Sequence, residues 1–160
     1  MTKNQELARA VALGLPLCLL LGALGSQYLG GLYPCEMCHW QRWPHYSAVL
    51  IAVGAFVVPG RAMRRSLVLI AALLIAVSGG IGVFHAGVEY HWWNGITACT
   101  STIAAGATTS AERLAAIMNA PMIRCDVAQW RFAGISLAGF NAILSLGGAL
   151  TILVLMRKTR

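Results

Sequence analysis

Two cysteines three residues apart, Cys35 and Cys38, are followed one helical turn later by Arg42. A disulfide at this spacing closes a very small ring, so it removes little unfolded-state entropy and is a poor structural staple. Its advantage is chemical, because neighbouring thiols form and exchange a disulfide readily. A second, widely separated pair, Cys99 and Cys125, could staple the segment between them. If a helix begins near Cys38, then Cys38, Arg42, His45 and Tyr46 share one face of it. A guanidinium held there favours the thiolate, and it could also donate to the oxygen of a bound electron acceptor. Cys18, alone in an apolar run, reads as a small filler.

Two other chemistries compete for the same residues. Zinc could draw on Cys35, Cys38, His39 or His45, with Cys99 or Cys125 as a fourth ligand. Structural zinc more usually serves small soluble modules, and no acidic shell surrounds these residues, so no metal is expected. Cys35-Glu36-Met37-Cys38-His39 is also a literal c-type haem attachment pattern. The short segment carrying it offers little protein to cover a haem, and a haem leaves Cys99 and Cys125 unexplained.

The elements that must position these groups follow from composition. Of 160 residues, 58% are hydrophobic and 11% charged, against a usual charged share of about 25%. With a mean hydropathy of +0.70, a water-soluble globule is excluded, as are a disordered chain and a coiled coil. A helical span needs about 20 apolar residues. Four such runs are visible, at about 10–29, 45–58, 67–88 and 134–156. The expectation is an all-α membrane protein, a single domain over 1–160 built as a four-transmembrane-helix bundle. The first run is too long for the apolar core of a signal peptide and is read as a span. The second is the weakest, being short and bracketed by Pro44 and Pro59. It can begin earlier if Trp40 and Trp43 lie at the interface.

The net charge of +7 then reads as a topology signal rather than a nucleic-acid surface. Eight of the twelve basic residues (Lys3, Arg9, Arg61, Arg64, Arg65, Arg157, Lys158 and Arg160) fall on one side of a four-span chain. The other four, Arg42, Arg113, Arg124 and Arg131, fall on the opposite side. Both termini are therefore expected in the cytoplasm. Outer loops at about 30–44 and 89–132 then hold four of the five cysteines, in a compartment that permits disulfides. The longer loop carries a helix over Ala111–Ala120 with Ser110 as N-cap and Pro121 beyond its end. Leu114, Ile117 and Met118 share a face that either lies on the membrane surface or packs on its own loop. Gly79-Gly80 and Gly147-Gly148 suit close helix packing in lipid.

A dithiol that is oxidised repeatedly needs an electron acceptor. No glycine-rich nucleotide motif follows a strand, which argues against a flavin or nicotinamide domain. A thiol pair at the membrane has lipid-soluble quinone at hand. The run Tyr33-Pro34-Cys35-Glu36-Met37-Cys38-His39-Trp40-Gln41-Arg42-Trp43-Pro44-His45-Tyr46 strongly resembles the disulfide bond formation protein B (DsbB) family. So do the second pair and the stretch Cys125-Asp126, Trp130, Gly134-Ile135-Ser136 and Asn141. The resemblance implies a quinone-dependent thiol oxidase in the bacterial inner membrane, with its redox loops periplasmic. Cys99 and Cys125 would oxidise a DsbA-like thioredoxin-fold protein in the periplasm. Electrons would pass through Cys125 to Cys35, and Cys38 would face ubiquinone or menaquinone beside Arg42. Met37 stands where the family more usually has Leu. His85 is the candidate for the quinone-side residue of the third span, with a helix-packing histidine as the alternative; Glu89 and His91 are weaker candidates. A third reading of the chain is a non-enzymatic membrane scaffold stapled by disulfides.

Overall fold

A computed structural model describes residues 2–97, 109–118 and 123–157 of the chain. Four long helices make the body: α1 (Lys3–Tyr28), α2 (Glu36–Val57), α3 (Arg61–Glu89) and α5 (Leu137–Arg157), with the short α4 (Ser110–Met118) before the last. The four pack in a ring in which α1 touches α2 and α5, and α3 touches α2 and α5. Contact across the ring between α1 and α3 is slight. Three of them, α1, α3 and α5, are long and apolar enough to cross a membrane. The fourth, α2, has 22 residues, or about 33 Å at 1.5 Å per residue. It is less apolar because Gln41, Arg42 and His45 lie in its first half. It starts well before Pro44, which sits inside the helix, so the proline that seemed to bracket the second run does not end it.

Small residues fill the centre of the ring. Ala8, Ala12, Ala48, Ala52, Ala71 and Ala149 are buried around Ile75 and Ile152, while Leu21, Leu50, Leu73 and Leu150 point outward. This inversion suits lipid, where leucine gains nothing by leaving the surface and small residues let backbones approach. One member of each glycine pair makes such a contact. A Cβ on Gly79 would meet the Leu146 side chain at 2.8 Å, whereas Gly80 and Gly147 face open space. Gly82, outside both pairs, makes the least yielding contact between helices. Its Cβ would stand 3.0 Å from both Ala138 O and Ala142 N, which are backbone atoms of α5. Gly82→Val should therefore lower the unfolding temperature in detergent, at a cost of about 1–3 kcal/mol for overpacking. Gly80→Ala should leave it unchanged or raise it, and equal losses in both variants would contradict this packing.

Helix ends are closed by local chemistry. Beyond α3, His91 has φ +59°, with His91 N–H donating to Val88 O at 3.1 Å and Trp92 N–H to Gly87 O at 2.8 Å. This is a Schellman motif, so His91 serves as the exposed turn residue that ends the helix. The cap of α4 is Thr109 rather than Ser110. Its hydroxyl accepts from Glu112 N–H at 3.2 Å, and the Glu112 carboxylate accepts from Thr109 N–H at 3.1 Å. That is the reciprocal T-x-x-E capping box. The expected end of this helix at Ala120 lies outside the described residues.

A minimal hairpin precedes α5, a small departure from all-α. Strands β1 (Arg131–Phe132) and β2 (Ile135–Ser136) pair antiparallel. They are joined by Ala133 and Gly134, both at positive φ, as a two-residue turn of this hand requires. The Tyr90 hydroxyl ties the hairpin to α3, donating to Gly134 O at 2.8 Å and accepting from Ser136 N–H at 3.1 Å.

Basic side chains gather at the end of the ring remote from the Cys-x-x-Cys. Arg9 lies over the Phe56 ring, 4.2 Å from its centroid, and Arg61, Arg64 and Arg65 line a small cleft with Gln5 and Met156.

Candidate active site

The Cys-x-x-Cys is built on a helix start. Cys35 is the N-cap of α2, and its sulphur accepts from Cys38 N–H at 3.3 Å. The two sulphurs lie 3.0 Å apart, close enough to share a proton or to form a bond with little movement. Cys35, Met37, Val88 and Cys125 are buried together in a second small core, with Trp40, Phe84 and Ile123 against it. The wholly buried Met37 side chain is part of what fixes the pair in this core. Cys35 and Cys125 come from separate loops and are within hydrogen-bonding reach of one another. The segments carrying them are also joined by Gln129 Nε2, which donates to Tyr33 O at 2.6 Å, and Thr97 Oγ1 donates to Cys125 Sγ at 3.4 Å. Cys99 lies outside the described residues.

Hydrogen bonding to Cys125 and to Cys38, together with burial, pushes the Cys35 thiol up. Cys35 therefore holds its proton the more tightly, and Cys38, lowered first by its hydrogen bond to Cys35, is the readier of the two to ionise. Cys38 is the less buried of the two and lies one turn from Arg42. The guanidinium of Arg42 is held by α1, with Nη1 donating to Gln27 Oε1 at 2.6 Å and Nη2 to Ala23 O at 3.1 Å. It is a fixed charge rather than a freely snorkelling one.

Arg42 and Cys38 both line a cavity of about 240 Å³ between α1, α2 and α5. Leu19, Leu20, Leu137 and Phe140 supply apolar wall, and Gln41 and His45 supply polar wall. Tyr46, expected on this face, is not among its lining residues and is exposed. At 100° per residue Tyr46 lies 80° round from Cys38, whereas Arg42 and His45 stay within 40° of it. Cys18 also lines the cavity and is otherwise exposed, so the small apolar residue expected there stands in the cavity wall.

A buried polar chain that sequence reasoning missed runs from this cavity to Cys35, and it fixes two histidine tautomers. Asn141 Nδ2 donates to the backbone Ser78 O at 3.2 Å and to Gln41 Oε1 at 2.8 Å. Gln41 Nε2 donates to Met37 O at 3.3 Å and lies 2.7 Å from His85 Nδ1. His85 Nδ1 must then accept, so the proton of the neutral ring is on Nε2. That N–H lies 3.5 Å from Cys35 Sγ and 3.8 Å from Glu89 Oε1. His85 and Glu89 thus stand on the Cys35 side, lining a cleft of about 50 Å³ with Cys35, Cys38 and Arg42. Neither lines the larger cavity.

Cys35, Cys38 and His85 are close enough to hold a metal ion, their ligand atoms lying within 4.8 Å of one another. His39, considered as a ligand from sequence, is exposed. The hydrogen-bond chain points the protonated nitrogen of His85 at the sulphurs, and a metal would need a lone pair there. Haem attachment fits no better, because Cys35 is 3% exposed and its sulphur is enclosed by His85, Cys38 and Cys125.

On the exposed side of Cys125, Arg124 and Asp126 pair at 2.5 Å. Hydrogen bonding to Arg124 holds the Asp126 carboxyl below its ordinary range. The contribution of this solvent-facing pair is present above the ordinary aspartate pKa and is lost as pH falls through the lowered one.

The profile of one protein family, described as disulfide bond formation protein DsbB, matches residues 5–155. The disulfide bond formation protein B of Burkholderia thailandensis is 41% identical over 81 residues, covering 49% of this chain and 46% of that protein. The match thus spans less than half the length of that relative. No solved structure matches the chain. With a four-helix membrane architecture and a family match running almost end to end, the chain belongs to the DsbB family of disulfide bond formation proteins.

Proposed function

We propose that the chain is a quinone-dependent thiol oxidase of the bacterial inner membrane, with both termini cytoplasmic and both cysteine-bearing loops periplasmic. It reoxidises a DsbA-like thioredoxin-fold dithiol protein and passes two electrons to membrane quinone. The observation that carries this reading is the division of the Cys-x-x-Cys. Cys38 opens with Arg42 on a largely apolar cavity, while Cys35 is buried against Cys125. Each sulphur has a different neighbour, as a relay between a protein disulfide and a small acceptor needs. Gathering Arg9 and the α2–α3 arginines at the end remote from the cysteines fits the orientation.

The cavity suits a flat, conjugated ring headgroup. Its volume of about 240 Å³ is just under the roughly 300–1,000 Å³ of ordinary small-molecule sites. Its walls are apolar apart from a few convergent polar groups, and a chain-bearing lipid can enter between helices. Bound there, quinone supplies an acceptor for two electrons and two protons.

The relay proceeds by thiolate exchange. A thiolate of the partner attacks the Cys99–Cys125 disulfide and leaves oxidised, both loop cysteines being reduced. The Cys125 thiolate then attacks the Cys35–Cys38 disulfide at Cys35, releasing Cys38 as thiolate. Cys99 attacks Cys125 in turn, restoring the outer disulfide and leaving Cys35 and Cys38 reduced. Reoxidation of that dithiol to a disulfide gives up two electrons and two protons. Arg42 holds the Cys38 charge and is placed to donate to an acceptor oxygen. His85, expected beside the acceptor, works from the other side. Its Nε2–H faces the Cys35 sulphur at 3.5 Å and offsets part of the cost of charge there when Cys35 leaves as a thiolate during exchange.

The reading is tested with purified protein, ubiquinone-1 and an excess of reduced thioredoxin-fold partner. One quinone should be reduced per partner disulfide formed, over many cycles. Partner oxidation that stops at stoichiometric amounts, with no quinone consumed, would refute it. A haem absorbance band from the same preparation would favour the attachment reading instead.

A further inference from the structure

We propose that His45 distinguishes the redox states of the acceptor headgroup, binding the reduced form through its Nδ1. The inference rests on the reading that the 240 Å³ cavity holds a quinone.

His45 lies two turns along α2 from Cys38, is 3% exposed and lines the cavity. Its Nε2 has three neighbours: Asn141 Oδ1 at 2.9 Å, Ser78 Oγ at 2.9 Å and Ser145 Oγ at 3.3 Å. None of the three has a proton to offer it. The Ser78 hydroxyl donates to Gln41 O at 2.8 Å, and the Ser145 hydroxyl to Asn141 Oδ1 at 3.1 Å. The Asn141 amide is oriented by the backbone carbonyl of Ser78, so Oδ1 is the atom facing His45. All three are acceptors, and Nε2 must carry the ring proton. The neutral ring then has a lone pair on Nδ1. That nitrogen is buried without a hydrogen-bond partner among the described residues.

A buried acceptor left unpaired is costly, and on a residue that lines a ligand cavity it is a demand for a donor that a small turn of the ring would bring within reach. An oxidised quinone has only acceptor oxygens around its ring and cannot meet that demand. The reduced headgroup carries hydroxyl donors and can. His45 therefore favours the reduced form, while Arg42, a donor, serves the oxidised carbonyl. A tenfold preference for the reduced form raises the potential of the bound two-electron couple by about 30 mV, which draws electrons from the cysteine pair.

The test is calorimetric titration of the fully oxidised protein, under anaerobic conditions, with ubiquinone-1 and with ubiquinol-1. Wild type should bind the quinol more tightly. His45→Gln places an amide N–H where Nε2–H was, so it keeps the bond to Asn141 while losing the Nδ1 lone pair. Its unfolding temperature should stay near wild type and its quinol-to-quinone affinity ratio should fall about tenfold, with the quinone Kd changed less than threefold. His45→Asn, which retains an acceptor near the Nδ1 position, should keep the ratio within threefold of wild type and guards against a folding defect in the first variant. If wild type binds ubiquinone-1 in an Arg42-dependent way but His45→Gln leaves the ratio unchanged, the role of His45 is overturned and the quinone reading stands. If wild type binds neither form, both fall.

Discussion

Cys38→Ser should abolish quinone reduction, by at least about a thousandfold, while the protein still folds and still oxidises its partner once. A hydroxyl is a poor nucleophile at neutral pH beside a thiolate, and it cannot form the disulfide through which two electrons would leave. The substitution costs little structurally. Cys38 is only half-buried, and the helix cap is made by the Cys35 sulphur and the Cys38 backbone N–H, both of which survive. In the proposed relay Cys99 and Cys125 still exchange with the partner, so one dithiol per molecule should be oxidised before the reaction stops. The measurement is quinone absorbance followed together with partner thiol content. A disulfide-stapled scaffold makes the opposite forecast, namely a lowered unfolding temperature and no catalytic defect. Turnover within tenfold of wild type would sink the relay.

What sequence could show here was whatever repeats along the chain. Apolar runs marked the helices, and one turn of arithmetic put Arg42 beside Cys38, because those relations are local. The same arithmetic overreached at Tyr46, where 80° of accumulated rotation carries the side chain past the cavity edge. The polar chain from Asn141 through Gln41 to His85 was hidden for a different reason. Its members stand 44 and 100 residues apart, and which of them meet depends on how each helix is rotated in the ring. Asn141 entered only as part of the family-like stretch and Ser78 not at all, yet a polar residue in a membrane helix is itself a signal of a partner. Thr109-x-x-Glu112 was legible and overlooked in favour of Ser110. The hairpin turn at Ala133-Gly134 was not, since alanine at positive φ lacks the Asn-Gly signature. The Schellman turn at His91 shows how a candidate histidine can be taken up by backbone geometry alone.

Arg42→Ala should lower kcat/KM for quinone by roughly 10- to 150-fold and leave the KM for the protein partner within about twofold. The range follows from the loss of a charge-assisted hydrogen bond, worth about 1.5–3 kcal/mol. The upper half is favoured because the guanidinium faces a largely apolar cavity, where water replaces it poorly. Its position is set by α1, through Gln27 and the Ala23 carbonyl, which gives two further expectations. Gln27→Ala leaves the charge but loosens it, so its effect should go the same way and be smaller, about 3- to 10-fold. Arg42→Lys restores a cation without the planar fork that bonds both α1 groups while keeping a donor for the cavity, and should rescue only part of the loss. A snorkelling arginine would behave otherwise, since lysine reaches the interface as well as arginine does, and Gln27 would not matter. Steady-state titration of quinone at saturating partner, and of partner at saturating quinone, separates the two cases. On the proposed relay the defect must appear in the first titration and not the second, because there the partner would meet the Cys99–Cys125 pair while Arg42 meets Cys38.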